Sequence, residues 1–600
     1  MPGLALILAP GPAGNHEADL HRMVASMQHE PFYKVGTYSD AALGVHVGWV
    51  CHPGSHCDRL PLCSEDGNLM LFFYGEHRSA NSGRNGESSD AHAVLRLFEK
   101  HGLDAVSLLN GWFHGVLIDR RRQQITVFND RYGMQRLHVF EDSPGTLFAT
   151  EAKALLMVRP QLRELDSRGL AEWFSCGCAL GNQTLFRGIS LLPPGSAWIF
   201  SADGTLNKKS YFSSSEWENQ PPLSSTEFSE RLQETFPRVL GRYTNGAEPV
   251  AMSLTGGLDG RMIMAWARAT EGALPCYTFN SSYRDCADVR IARKVAAACG
   301  QPHQTISVGD EFLTQFPRLA EQTVHITDGA MDVSGAAELY VNRLAHQIAP
   351  VRLTGNYGSE ILRRHVAFKP HPLAGEVLSP DFVPQLAAAA NTYFEEAAGN
   401  QLSFIAFKQV PWHHYARLAV EQSQITLRSP FLDNELVALA FQAPSEATTS
   451  LAPSLRLIAL GNPLLGRIPT DRGVSYPATG ITNRLHRSVE EFLTKAEYAY
   501  DYGMPNWLAR IDHLLQPLRL ERLFLGRQKF SHFRTWYRDA LAPYVMEVLL
   551  DARSLSRPYL QKREVERMIA RHVRGQGNST RELHKLLSIE LVQRLLIEGV

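Results

Sequence analysis

Residues Pro249 to Arg261 read PVAMSLTGGLDGR. Pro249 to Leu254 is an apolar run of strand character, and a tight glycine turn follows it. A helix starts near Gly260 and continues through Arg261 to Arg268. In an open α/β sheet, ligands bind at the carboxyl ends of the strands. Glycines let backbone N–H groups approach an anion, and the start of a helix adds a positive dipole. Asp259 stands where a carboxylate would hold magnesium on phosphate oxygens. A Gly-Gly turn alone is more often a simple strand-to-helix bend, so the reading depends on its surroundings.

Downstream, the rhythm is strand, helix, strand. Leu274 to Phe279 and Thr305 to Val308 are strand-like. Ala287 to Cys299 is amphipathic, with Val289, Ile291, Ala292, Val295 and Ala296 apolar. Such units predict a parallel sheet with helices on both faces. Residues 380–600 read as mainly helical. Upstream, residues 1–200 are β-rich. Leu4 to Leu8 is a buried first strand, and Leu69 to Tyr74 is another apolar run. His114 to Ile118 and Ile125 to Phe128 flank DRRRQQ, while Leu137 to Phe140 and Thr146 to Thr150 flank EDSPG, as in hairpins. One helix is predicted, from Asp90 to His101. The polar stretch 201–225 marks a boundary.

Composition narrows the function. The chain has 600 residues, with 60 Lys and Arg against 61 Asp and Glu. That length implies two to four domains. Near-neutral charge gives no reason to expect nucleic acid or an anionic membrane surface. No apolar run is long enough to span a bilayer, and no basic residue precedes Leu4 as a signal peptide requires. Eight cysteines are too sparse for a disulfide scaffold. Cys176 and Cys178 lack partners at zinc-ligand spacing. A reducing cytoplasm is the expected location.

TGGLDGR resembles the pyrophosphate-binding loop SGGxDS of the ATP pyrophosphatases, which include asparagine synthetase. Thr255 keeps the first hydroxyl, and Gly260 replaces the last serine. Further resemblance follows in order. Asp288, Ala292, Arg293, Val295, Ala296, Gly300 and His303 match a helix-and-turn stretch of asparagine synthetase. TGNYGSE, Thr354 to Glu360, follows the strand Val351 to Leu353 and matches its SGEGSDE loop in one of two registers. Without a gap, Asn356 takes the place of the family's catalytic glutamate and Ser359 that of a metal-binding aspartate. With one inserted residue, Tyr357 takes the first place and Glu360 the second. The second register keeps a carboxylate for magnesium. It also looks like the TGYGSD loop of β-lactam synthetases, where a tyrosine helps deprotonate the amine. SPFLDNELVALAFQAP, Ser429 to Pro444, resembles a structural stretch of the family. RIPTDRGVSYP, Arg467 to Pro477, falls where the family has R-x-K-x-x-F. It has no lysine, and Arg472 is the best substitute for neutralising pyrophosphate.

Residues 69–195 resemble the glutaminase half of the same family, through FYGEH, SDAHAVLRLFEKHG, LNGWFHGVLID, NDRYGMQRL, FATEAKAL and ISLLPPG. That family cleaves glutamine with a cysteine at position 2, whose own α-amine is the base. Position 2 here is Pro2. Tyr74 replaces the oxyanion asparagine, and Gly48 stands where the family has the arginine that anchors glutamine. Gly75 and Asp90 survive.

The resemblance implies an α+β glutaminase-like (Ntn-type) antiparallel β sandwich flanked by helices over 1–205, inactive as a glutaminase, and a linker over 206–228. An α/β parallel-sheet ATP-pyrophosphatase domain over 229–480 and a helical C-terminal extension over 481–600 would follow. It implies a ligase that adenylates a carboxylate with ATP and Mg2+ and forms an amide, releasing AMP and pyrophosphate. Leu254, Thr255, Gly256, Gly257, Leu258, Asp259, Gly260 and Gly355 would bind the nucleotide, and Asp259 and Glu360 the metal. Tyr357, Glu360 and Arg472 would be catalytic. Partners would be ATP with small-molecule or peptide carboxylates and amines, with no nucleic acid or membrane; a homodimer is allowed. One version is an asparagine synthetase fed by ammonia, a second an amide- or lactam-forming ligase or peptide cyclase. A third, of another class, is an inactive nucleotide-binding or scaffold homologue.

Overall fold

The structure is a computed structural model that describes residues 2–9, 15–79, 91–142, 145–246, 248–476, 492, 494–504 and 525–599. Asp90 and Pro477 lie outside these residues.

The first half is two six-stranded sheets whose pairings are all antiparallel. The strand Gly3–Leu8 sits inside one of them, between Val45–Cys51 and Thr146–Ala149. Its alternate residues enter different cores, which explains why it carries no polar face. Leu4, Leu6 and Leu8 meet Phe72, Val116 and Phe128 in the core that the two sheets share. Ala5 and Ile7 join Leu20, Met23 and Val24 of the helix His16–Met27 on the other side. Both predicted hairpins form, Phe113–Asp119 with Gln124–Asn129 and His138–Glu141 with Thr146–Ala149. The predicted helix spans Ala91–His101.

Two sequence expectations need correction here. The half holds further helices, at His16–Met27, Ala152–Val158 and Ser167–Cys176. The 206–228 stretch, expected as a linker, is structured: Leu206–Ser210 pairs with Ser196–Ser201. That strand lies at a sheet edge, and its exposed Lys208 and Lys209 follow from this, because edge lysines oppose strand-to-strand aggregation. The helix Ser225–Thr244 then opens on a capping box of Ser224 and Glu227.

The second half holds a five-stranded parallel sheet in the order His303–Val308, Cys276–Ser281, Val250–Ser253, Val351–Thr354, Thr426–Arg428. The last strand interrupts a region read as helical; with three residues it is too short to show any alternation. The chain runs outward from Val250–Ser253 on one side and returns on the other, so the gap between Val250–Ser253 and Val351–Thr354 is the topological switch point.

The halves share one core. Ala5, Leu155, Trp173, Phe316, Leu339, Tyr537 and Leu587 belong to a single apolar cluster. The C-terminal helix Thr580–Val592 is buried along almost its whole length within it. Each buried leucine there contributes roughly 1.5–3 kcal/mol of transfer free energy. Polar ties reinforce the join. Asp433 accepts from Arg242 at 3.2 Å and from Asn110 Nδ2 at 2.8 Å. Lys153 pairs with Glu151 and, at 3.3 Å, with Asp328. No helix among the described residues is long and apolar enough to cross a membrane.

Candidate active site

A cleft of about 590 Å³ opens at the switch point. Thr255, Gly257, Asp259, Gly260, Gly355, Tyr357 and Glu360 line it. Two loops make it by interlocking. A Cβ on Gly355 would fall 2.5 Å from Gly260 N, and one on Gly358 would fall 2.5 Å from Asp259 Cγ. Glycine at both positions therefore lets the 354–360 loop close onto the start of the helix Asp259–Trp266. Tyr357 adopts φ 71°, a left-handed backbone that costs a non-glycine residue on the order of 1–3 kcal/mol. Its ring is wedged between Trp112 of the first half (5.9 Å, edge-on) and His414 (5.9 Å, stacked).

The two predicted metal ligands differ in state. Asp259 is gripped by Arg363 at 2.7 and 2.8 Å. Burial raises its carboxyl above the usual value, Arg363 opposes this, and Glu360 adds to it. Glu360 faces no arginine among the described residues; its carboxylate accepts from Ser359 Oγ at 2.7 Å. Arg363 stands three residues after Glu360, but its guanidinium is directed to Asp259. Magnesium held on nucleotide phosphates needs only one or two carboxylates. Glu360 fits that need as placed, whereas Asp259 would first have to release Arg363. No larger cluster of His, Cys, Asp or Glu suited to a metal occurs among the described residues.

Other predicted residues fall outside the cleft lining. Leu254 and Leu258 are buried beneath the turn, in the core. Gly256 N donates to Asp288 Oδ1 at 2.7 Å, so this amide is already engaged within the protein. Asp288 is half-buried, and desolvation with Asp471 nearby pushes its carboxyl up to about 6. Arg472 is exposed, on a turn fastened to the glycine bend by Asp471 N donating to Gly256 O at 3.2 Å. The buried Arg261 secures the same bend by donating to Gly256 O and to the carbonyls of Leu465, Ile468 and Pro469. His303 meets Thr278 Oγ1 at 2.8 Å, a structural contact.

The sequence reading missed the far wall, made by Arg352, His413, His414, Arg417 and Glu421. Burial lowers His413 to about 3 and His414 to about 4, so both rings are neutral. Glu421 pairs with Arg352 at 3.1 Å. Burial first, then Glu421 and Glu360, raise the Tyr357 phenol above its ordinary value, so it keeps its proton. The signal for the helical part of this wall was the ionisable run His413 to Glu421, which by itself looks like any solvated face; Arg352 comes from the strand Val351–Thr354.

A second, smaller cavity of about 70 Å³ lies between the halves, lined by His52, Cys57, Tyr74, Glu76, Trp112 and Arg428 among others. Glu76 is held there by Arg78 and by Arg428 at 2.7 Å. Tyr74 is buried, with its ring 5.3 Å from His114. Gly48 lies under the helix His16–Met27, where a Cβ would meet Val24 at 2.3 Å.

Comparison with known proteins places these features. A glutamine amidotransferase domain model matches residues 2–212, and an asparagine synthase model matches residues 231–452. The chain is similar to asparagine synthetase [glutamine-hydrolyzing] 1 of Bacillus subtilis, 22% identical over 50% of this chain and 48% of that protein. It is similar to asparagine synthetase [glutamine-hydrolyzing] 3 of the same organism, 29% identical over 33% and 32%. It is also similar to amidase chyE of Penicillium rubens, 24% identical over 77% and 71%. The matches to the two synthetases span about half or less of their length. Among solved structures, a glutamine phosphoribosylpyrophosphate amidotransferase from B. subtilis overlaps 76% of this chain and 92% of that one, at 11% identity and a TM-score of 0.26, too low to add to the fold described above. With an amidotransferase half followed by an asparagine synthase half, the chain belongs to the asparagine synthetase family.

Proposed function

We propose that this protein is an ATP-dependent carbon–nitrogen ligase. It adenylates a carboxylate, releases pyrophosphate, and passes the acyl group to ammonia or an amine, releasing AMP. The observation that carries this reading is the interlock of the 255–260 turn with the 354–360 loop at the switch point, with Asp259 and Glu360 beside it. Both loops belong to the part of the chain that matches the asparagine synthase model.

In the first step a carboxylate oxygen attacks the α-phosphorus, and the bond to pyrophosphate breaks. The backbone at Thr255–Gly260 and the start of its helix orient the phosphates. Magnesium, when bound, would neutralise phosphate charge, with Glu360 the residue free to hold it. Arg472 offsets charge on the leaving group from its turn beside Gly256. In the second step the amine attacks the acyl carbon and the bond to AMP breaks. Tyr357 assists proton removal as a neutral phenol, taking a proton only as it hands on its own.

The first half does not hydrolyse glutamine in this reading. Arg428 and Arg78 neutralise Glu76, Tyr74 fills the place of the oxyanion donor, and the packing at Gly48 leaves no room for an anchoring arginine. The nitrogen therefore comes from free ammonia or another amine. ATP–pyrophosphate exchange with a panel of carboxylic acids tests the proposal. Exchange with aspartate supports an ammonia-fed asparagine synthetase, and exchange only with another acid supports a different amide- or lactam-forming ligase. No exchange and no ATP binding overturns the enzyme reading.

A further inference from the structure

The two sheets of the first half have four edges, and these are guarded unequally. Ser190–Leu191 and Leu62–Cys63 are two residues each. Leu206–Ser210 carries the exposed Lys208 and Lys209. Short strands and edge lysines both oppose pairing with another chain. The fourth edge, Lys34–Asp40, has neither guard: it is seven residues long, and Val35 to Ser39 carry no charge. Val35 is 46% exposed. On one side the strand pairs with Val45–Cys51; on the other its backbone makes no hydrogen bond among the described residues.

The ladder fixes which groups face outward. Residues along an antiparallel strand bond alternately to one neighbour and to the other. Thr150 N donates to Leu4 O, so Leu4 bonds toward Thr146–Ala149; Ala9 N donates to Gly44 O, so Ala9 and its alternates bond toward Val45–Cys51. Carried through the register, His46, Gly48 and Val50 bond to Gly3–Leu8, and the residues between them bond to Lys34, Gly36, Tyr38 and Asp40. The N–H and C=O groups of Val35, Thr37 and Ser39 therefore point away from the sheet. These groups match their own copy. Turned about a two-fold axis at Thr37, the strand meets itself antiparallel. Thr37 would exchange both bonds with the partner's Thr37, and Val35 with the partner's Ser39. Lys34 would stand opposite the partner's Asp40, and the symmetry repeats that pair. Lys34 has no ion partner among the described residues, and Asp40 has Arg120 at 3.3 Å.

We propose that Lys34–Asp40 is the interface of a two-fold dimer, in which the strand pairs with a second copy of itself through Val35, Thr37 and Ser39 and joins the two sheets into one. The occupant is a second copy because the opposite charges at the strand's ends are equally spaced from Thr37, so self-pairing satisfies both at once. The interface lies in the first half, and its formation does not depend on the ligase reading.

The test is sedimentation of the full chain over a concentration series, together with amide hydrogen exchange. The wild type should dimerise. As it does, the amides of Val35, Thr37 and Ser39 should become protected, while those of Gly36 and Tyr38 are protected at every concentration. Thr37→Pro removes an N–H that its own sheet does not use, at an edge where proline is tolerated; it should leave a folded monomer. Lys34→Glu should weaken association by about tenfold, because the lost pair recurs across the axis, and Lys34→Arg should not. Should Thr37→Pro fail to fold, Lys34→Glu and the alternating protection still decide the matter. A wild type that stays monomeric, a dimer that survives Thr37→Pro, or one indifferent to Lys34→Glu would overturn the inference.

Discussion

Glu76 and Glu360 each sit at a loop the sequence marks as chemical, one in each half, and their surroundings are opposite. Glu76 is clasped by Arg78 and Arg428, and Arg428 is engaged again by Glu248 at 2.6 Å. Burial alone would raise its carboxyl, but the two arginines overcome this and hold it at about 2. Among the described residues, Glu360 has only a serine hydroxyl. A buried carboxylate neutralised by arginine has its charge taken up inside the protein and serves structure. One left without a cation can still meet a ligand.

If this distinction is right, Glu76→Gln should act on folding. Leaving Arg78 without its counter-charge should cost roughly 3–5 kcal/mol, read as a lower unfolding midpoint with exchange activity kept in the folded fraction. Because the folded carboxyl titrates below its unfolded value, this stabilisation is complete above about pH 4.5 and fades as pH falls toward 2. The acid-unfolding curves of wild type and Glu76→Gln should therefore converge there, and parallel curves would break the comparison. Glu360→Gln should act on chemistry instead, lowering exchange by about 10²–10³-fold with little change in stability. Nucleotide affinity and turnover left untouched would remove Glu360 from the site. Tyr357→Phe should slow amide formation about a hundredfold while exchange stays within a few-fold; equal loss in both steps would assign it to binding. Arg472→Ala should have the smallest effect, under about tenfold on pyrophosphate release, since the side chain is exposed.

Much of the fold was legible because it rests on local pattern. The strand at Val250–Ser253, its glycine turn and the helix after it could be read within one stretch, as could both hairpins. The helix His16–Met27 also carries a readable apolar stripe, at Leu20, Met23, Val24 and Met27, but it stands among β-rich neighbours. The strand Thr426–Arg428 left no pattern, because it is too short for its period to show. In the site, the residues on the two loops came from motif spacing. Arg417, Glu421 and Arg352 did not, since their meeting depends on the sheet bringing Val351–Thr354 beside Thr426–Arg428. Charge partners chosen across such a distance, as Arg363 chose Asp259, are set by packing and not by sequence neighbours.

The shared core carries a consequence for dividing the molecule. Its residues run from Ala5 to Leu596, so neither half closes all of its own apolar surface. Removing the first half would strip the C-terminal helices of their cover. Separately expressed halves should accordingly be insoluble and should recover a common fold only when produced together.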